Sequence, residues 1–279
     1  MKAYLDCYPC FFKQALNTAR MLQMSEEKTL EILNELGKKL PGIPFGASPP
    51  EIGREVYRLV TCLTKVSDPF KKIKTDCIHQ ALNLYQDLKS RVAGSKDRLE
   101  TAVRLAIAGN VIDFGANSSF DLNRDIEDIL FQEFAINHYA SFREALNKTD
   151  HVLFLGDNAG ETVFDRLLIE ELGKHVVYAV REKPVINDAV EEDAVLSGID
   201  KVAEIVSSGC DAPGTILHLC SNTFRDRFLS AALIISKGQG NYEGLSEEKA
   251  PLFFLLKAKC GIIARDLGVA KGDIILKKA

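Results

Sequence analysis

The chain has 279 residues, 46% hydrophobic and 27% charged, with a formal net charge of −4. That balance fits one or two globular domains and excludes the basic surface of a nucleic-acid binder. No apolar run reaches the length of a membrane span, and Met1 to Asp6 lack the apolar core of a signal peptide, so a cytoplasmic location is expected.

The first chemistry met along the chain is Cys7-Tyr-Pro-Cys10. The pair would be half a zinc site, a redox pair or two packed thiols. No second CxxC and no His-x-x-x-His follows to complete a tetrahedral zinc site. Cys62, Cys77, Cys210, Cys220 and Cys260 bring the count to seven. An odd, scattered set argues against a disulfide framework.

Residues 11–93 read as helices. Phe11, Phe12, Ala15, Leu16 and Ala19 fall at helical spacing. Ser25 caps the next helix without a full capping box, because Lys28 stands where an acid or glutamine is wanted. Gly37 stops that helix, and Pro41 to Pro50 form a loop. Ser48-Pro49 and Asp68-Pro69 each begin a helix with a capping side chain followed by proline. A further helix from Ser95 carries Leu99, Val103, Ala106 and Ile107. It runs into Gly109-Asn110-Val111-Ile112-Asp113-Phe114-Gly115, which is either a helix C-cap and turn or a loop that brings Asn110 and Asp113 to a pocket. Residues 121–147 read as helical again.

At Thr149 the pattern changes. Short apolar runs at 151–155, 175–180, 202–206, 232–235, 260–264 and 273–276 alternate with helical segments near 161–172, 222–230 and 247–257. Such alternation predicts βαβ units and a mostly parallel sheet. The fold class expected is therefore α/β: a helical N-terminal region, residues 1–148, packed on a Rossmann-like α/β/α sheet domain, residues 149–279.

The polar residues gather after the predicted strands. Val152 to Leu155 lead to Gly156-Asp157-Asn158-Ala159-Gly160-Glu161. Asp157 and Asn158 stand at a strand's carboxyl end, where open α/β sheets bind ligands. They serve either as a helix cap or as ligands for a hard cation beside a phosphate. The next strand leads to Arg181 and then Asn187-Asp188. Asp157, Asn158 and Asp188 together would supply two carboxylates and an amide, an open set for Mg²⁺ or Mn²⁺. Arg181 would bind an anion or pair with a surface acid. After the fourth strand comes Ser236-Lys237-Gly238-Gln239-Gly240-Asn241. A lysine between a buried strand and two glycines is expected to bind phosphate, with backbone N–H groups turned to the same anion. Neither loop matches a Walker P-loop or a dinucleotide fingerprint.

These motifs together resemble the DUF89 family, the metal-dependent damage-control phosphatases, also called acidic-residue-methyltransferase-like. The residues that carry the resemblance are Gly156 to Glu161, Asn187-Asp188, Lys237 to Asn241, Gly109-Asn110 with Asp113, and Cys7-x-x-Cys10. The Cys-x-x-Cys start is similar to the prokaryotic, archaeal-type subfamily; the Arg-Thr-x-Lys element of another subfamily is absent. The resemblance implies a divalent metal (Mg, Mn, Co or Ni) on Asp157, Asn158 and Asp188, and hydrolysis of phosphate esters of small, damaged metabolites. On that reading Asp157 and Lys237 are catalytic, and Asn110, Asp113, Lys237, Gly238 and Asn241 meet the substrate. Two alternatives stand beside it: an S-adenosylmethionine-dependent carboxyl methyltransferase, and a non-catalytic metal- or metabolite-binding protein. No nucleic-acid or membrane partner is expected.

Overall fold

The computed structural model describes residues 1–109 and 122–279. The apolar run after Thr149 is strand β2 (His151–Leu155). Its side chains alternate, Val152 and Phe154 entering one core and Leu153 and Leu155 another. A strand covered on both faces needs no polar positions, which is why the run reads as unbroken. The same holds for β3 (His175–Val180) and β6 (Leu252–Lys257), whereas β5 (Ile234–Lys237) is buried throughout but ends in Ser236 and Lys237. With β1 (Phe134–Asn137), β4 (Glu204–Ser207) and β7 (Ile274–Lys278) they form a seven-stranded sheet in the order β1-β7-β6-β5-β2-β3-β4. Only the β6–β7 pairing is antiparallel. The expected helical region on a mostly parallel α/β/α sheet is therefore present.

One face of the sheet shares its core with α4 (Lys71–Gly94), α5 (Arg98–Ala108), α6 (Leu122–Phe131), α7 (Tyr139–Asn147), α8 (Thr162–Leu172) and α9 (Glu191–Leu196). The other is covered by α10 (Asn222–Ser230), α11 (Gly238–Leu245) and α12 (Gly261–Leu267). The first three helices, α1 (Cys7–Met21), α2 (Glu26–Lys39) and α3 (Pro49–Thr64), have an apolar cluster of their own around Phe11, Ile32 and Val56. The boundary expected at 148/149 thus does not separate two cores, since β1 and α4 to α7 belong with the sheet. Helix α3 starts as its sequence requires: the Ser48 backbone N–H donates to Glu51 Oε2 at 2.7 Å, with Pro49 in the first turn.

Three local expectations are corrected. The helix at 247–257 and the strand at 260–264 are exchanged, as β6 and α12. A short apolar run has no period of its own; β6 is extended because β5 and β7 pair with both of its edges. Residues 121–147 are not one helix, because β1 pairs with β7 in their midst. Helix α11, read as a loop from its glycines, begins directly at Gly238.

Strand β2 lies between β5 and β3. Chain order reverses between β2 and β5, so the crevice opens at the carboxyl ends of those two strands.

Candidate functional site

Asp157 and Asn158 follow β2, and Asp188 follows β3. Asn158 and Asp188 form an antiparallel bridge between the two loops. The Ala159 N–H donates to Asn187 O and the Ala189 N–H to Asp157 O, both at 2.8 Å. Ile186 turns the second loop back with φ at 47°, a conformation β-branched residues rarely adopt. The three residues expected as cation ligands are thereby brought together. All three line one cleft of about 260 Å³, whose opposite wall comes from α1 and α3. Asn110 and Asp113 lie outside the described residues.

Beneath the cleft is a polar cluster with almost no solvent. Arg181, 2% exposed, donates from Nε to Asp188 Oδ2 at 2.7 Å. Its other nitrogens donate to Thr215 Oγ1 and Asn241 Oδ1 at 3.1 Å each. Arg181 pairs with two buried acids, Asp188 and, at 3.6 Å, Asp157, and not with a surface acid. Asn241 is fully buried, and its Nδ2 donates to Gly156 O (3.0 Å) and Lys237 O (2.8 Å). Its Oδ1 also accepts from the Thr215 N–H. With both donors and its oxygen engaged, Asn241 ties β2, β5 and the Thr215 loop together.

Lys237 is likewise fully buried. Its Nζ donates to Asp165 Oδ1 at 2.5 Å and to Glu161 Oε2 at 3.0 Å. Burial alone would lower its pKa; Asp165 and Glu161 reverse that and leave it raised. Where the sequence leads one to expect a phosphate on this ammonium, two carboxylates engage it, and Lys237 is not among the residues that line the cleft. Lysine 259 lines the cleft instead. It stands two residues after β6 and no glycine adjoins it, so the pattern that singled out Lys237 does not pick it out.

Gly238 is needed where it stands. Its φ is +78°, and a Cβ there would overlap the Asp157 carboxylate. Gly238→Ala is expected to push Asp157 out of line, costing about 1–2 kcal/mol from the backbone alone and weakening divalent-metal binding. Thermal melts and a metal titration on the variant check this; wild-type values in both would show the contact to be unimportant.

The cysteine pair has moved in meaning. Cys7, Cys10 and Cys260 all line the cleft. Burial raises the Cys7 and Cys10 thiols, with Cys260 adding to the shift in each. Among the described residues they form no group arranged to hold a metal.

The electrostatics test whether a cation fits the Asp157, Asn158 and Asp188 set. In this cluster four buried carboxylates, Asp157, Glu161, Asp165 and Asp188, meet two buried cations, Arg181 and Lys237. Burial, then Asp188 and Glu161, push the Asp157 carboxyl well above its ordinary range. Burial also raises Asp188, against the pull of Arg181. A divalent cation on oxygen donors would neutralise that excess, so the residues present fit the group.

Fold and site define an α/β protein with a cleft at the switch point of its sheet into which Asp157, Asn158 and Asp188 are gathered. The chain belongs to the family of the damage-control phosphatase ARMT1-like domain, whose model matches residues 3–275. It is similar to an uncharacterised protein of Methanocaldococcus jannaschii, 35% identical over 98% of this chain and 94% of that one. It is 33% identical to a damage-control phosphatase of Pyrococcus horikoshii, covering 99% of this chain and 97% of the other. A crystal structure of a DUF89 family protein from Pyrococcus horikoshii superposes with a TM-score of 0.92 at 33% identity, over 100% of this chain and 99% of that one.

Proposed function

We propose that the protein is a metal-dependent phosphatase acting on phosphate esters of small metabolites. The observation that carries this reading is the buried carboxylate pair Asp157 and Asp188, which shares the single guanidinium of Arg181 and faces, with Asn158, a cleft that also takes Lys259. The names of the relatives, damage-control phosphatases of two archaea, support it.

Asp157, Asn158 and Asp188 would hold the divalent ion, which when bound supplies a Lewis acid for the phosphoryl oxygens. Arg181 keeps Asp188 oriented from behind. Lys259 at the rim offers a positive charge to the phosphate, and Gln239 and Gly240 line the cleft in the first turn of α11, where backbone N–H groups point outward. The small cleft admits a phosphate with a short organic group, and α1 and α3 wall off the rest.

The test is phosphate release from an aryl phosphate by the purified protein, with chelator and then with each of Mg²⁺, Mn²⁺, Co²⁺ and Ni²⁺. Turnover is expected only with metal. Lys259→Ala should cut kcat/KM by roughly 10²-fold and weaken inhibition by inorganic phosphate. No release with any metal, or methyl transfer from S-adenosylmethionine in its place, would refute the proposal.

A further inference from the structure

The Asn158 amide lines the cleft, and its Nδ2 donates to Glu161 Oε1 at 2.6 Å. The other Glu161 oxygen, Oε2, accepts from Lys237 Nζ at 3.0 Å. Lys237 Nζ also donates to Asp165 Oδ1, and the Tyr178 hydroxyl donates to Asp165 Oδ2 at 2.7 Å. Glu161, Asp165, Lys237 and Tyr178 are fully buried. They form a chain that ends on one side chain of the cleft. Space is kept for it, since a Cβ on Gly156 would overlap the Tyr178 hydroxyl.

An amide has one oxygen that can meet a cation and one nitrogen that repels it. In solvent either end turns outward at little cost. Here Glu161 engages the nitrogen, and the oxygen is the arm left for the cleft. Glu161 makes that choice only while its carboxyl group is held in place, and the Lys237 ammonium on its other oxygen holds it. Resting on the reading of Asp157, Asn158 and Asp188 as the cation's ligands, we propose that Glu161 is a positioning residue. It sets the Asn158 amide with its oxygen toward the cation, and Lys237, Asp165 and Tyr178 hold it in that role. Glu161 touches neither metal nor substrate, yet it governs metal affinity.

Mn²⁺ binding to the purified protein, read by calorimetry or electron paramagnetic resonance, tests this without using turnover. Outer partners of metal ligands typically contribute 10–100-fold in affinity, so Glu161→Ala should weaken Mn²⁺ binding by about that factor. Glu161→Gln keeps the volume but places an N–H where Asn158 or Lys237 needs an acceptor, so it should weaken binding too. It stands in should the alanine variant fail to fold. The deciding measurement is a double-mutant cycle with Asn158→Asp. A carboxylate has no nitrogen to turn away, so in that background the loss caused by changing Glu161 should vanish or reverse. A structural role for Glu161 would give the same loss in both backgrounds, which overturns the proposal. Unchanged Mn²⁺ affinity in the Glu161 variants, with tight binding in the wild type, also overturns it and leaves the metal-site reading intact. A wild type that binds no divalent ion removes both.

Discussion

Lys237→Ala will melt far below the wild type. The substitution strands Glu161 and Asp165, both fully buried, without their shared ammonium. Removing one partner of a buried ionic cluster costs about 3–5 kcal/mol, on the order of 10 °C in a chain of this size. The loss should depend on pH with a definite sign. Burial raises Asp165 to about 6 even with Lys237 beside it. Without Lys237 the folded state keeps its carboxyl protons to still higher pH than the unfolded state does. Folded protein then binds more protons, so stability falls as pH rises, and the deficit is larger at pH 8 than at pH 5. Phosphate inhibition of the folded fraction should change little, because the ammonium lies behind the cleft wall. Melting curves at the two pH values and phosphate inhibition on the same preparation check this. Wild-type melting with weakened phosphate inhibition would restore Lys237 to direct contact with the anion.

Asp157→Ala should abolish metal binding and turnover together while the fold persists. One carboxylate and one amide then remain, too little charge to hold a hard divalent cation. The loss should exceed the ~100-fold typical of an outer partner. Stability without metal should move the other way. Asp188 and Glu161 repel Asp157 in the folded state, so the metal-free variant should melt at or above the metal-free wild type. The usual stabilisation by added metal, which grows with the ratio of free ligand to Kd, should disappear. Full activity at low metal concentration would sink the assignment.

The sequence carried most of the strands, and the places of Asp157, Asn158 and Asp188 after two of them, because both are local in the chain. Val152 to Leu155 is apolar throughout since both sheet faces are covered, and a polar cluster after such a run marks a strand's carboxyl end. That Asp157, Asn158 and Asp188 line one cleft was legible on that ground. What the lysines do was not legible. Lys237 ends β5 and adjoins Gly238, whereas Lys259 stands two residues beyond β6 and adjoins Cys260. One points down to Glu161 and Asp165, and the other lines the cleft. The difference depends on residues more than seventy positions away from Lys237, which no local pattern contains. Cys260 joins Cys7 and Cys10 at the cleft for the same reason. Leu252 to Leu256 became a strand because two neighbours offered their edges, and Gly238 to Leu245 became a helix despite two glycines in its first turn. Sequence by itself determined which segments are buried and which polar residues end the strands. Tertiary structure alone decided which buried charges face each other, because Coulomb partners are set by distance in space and not along the chain.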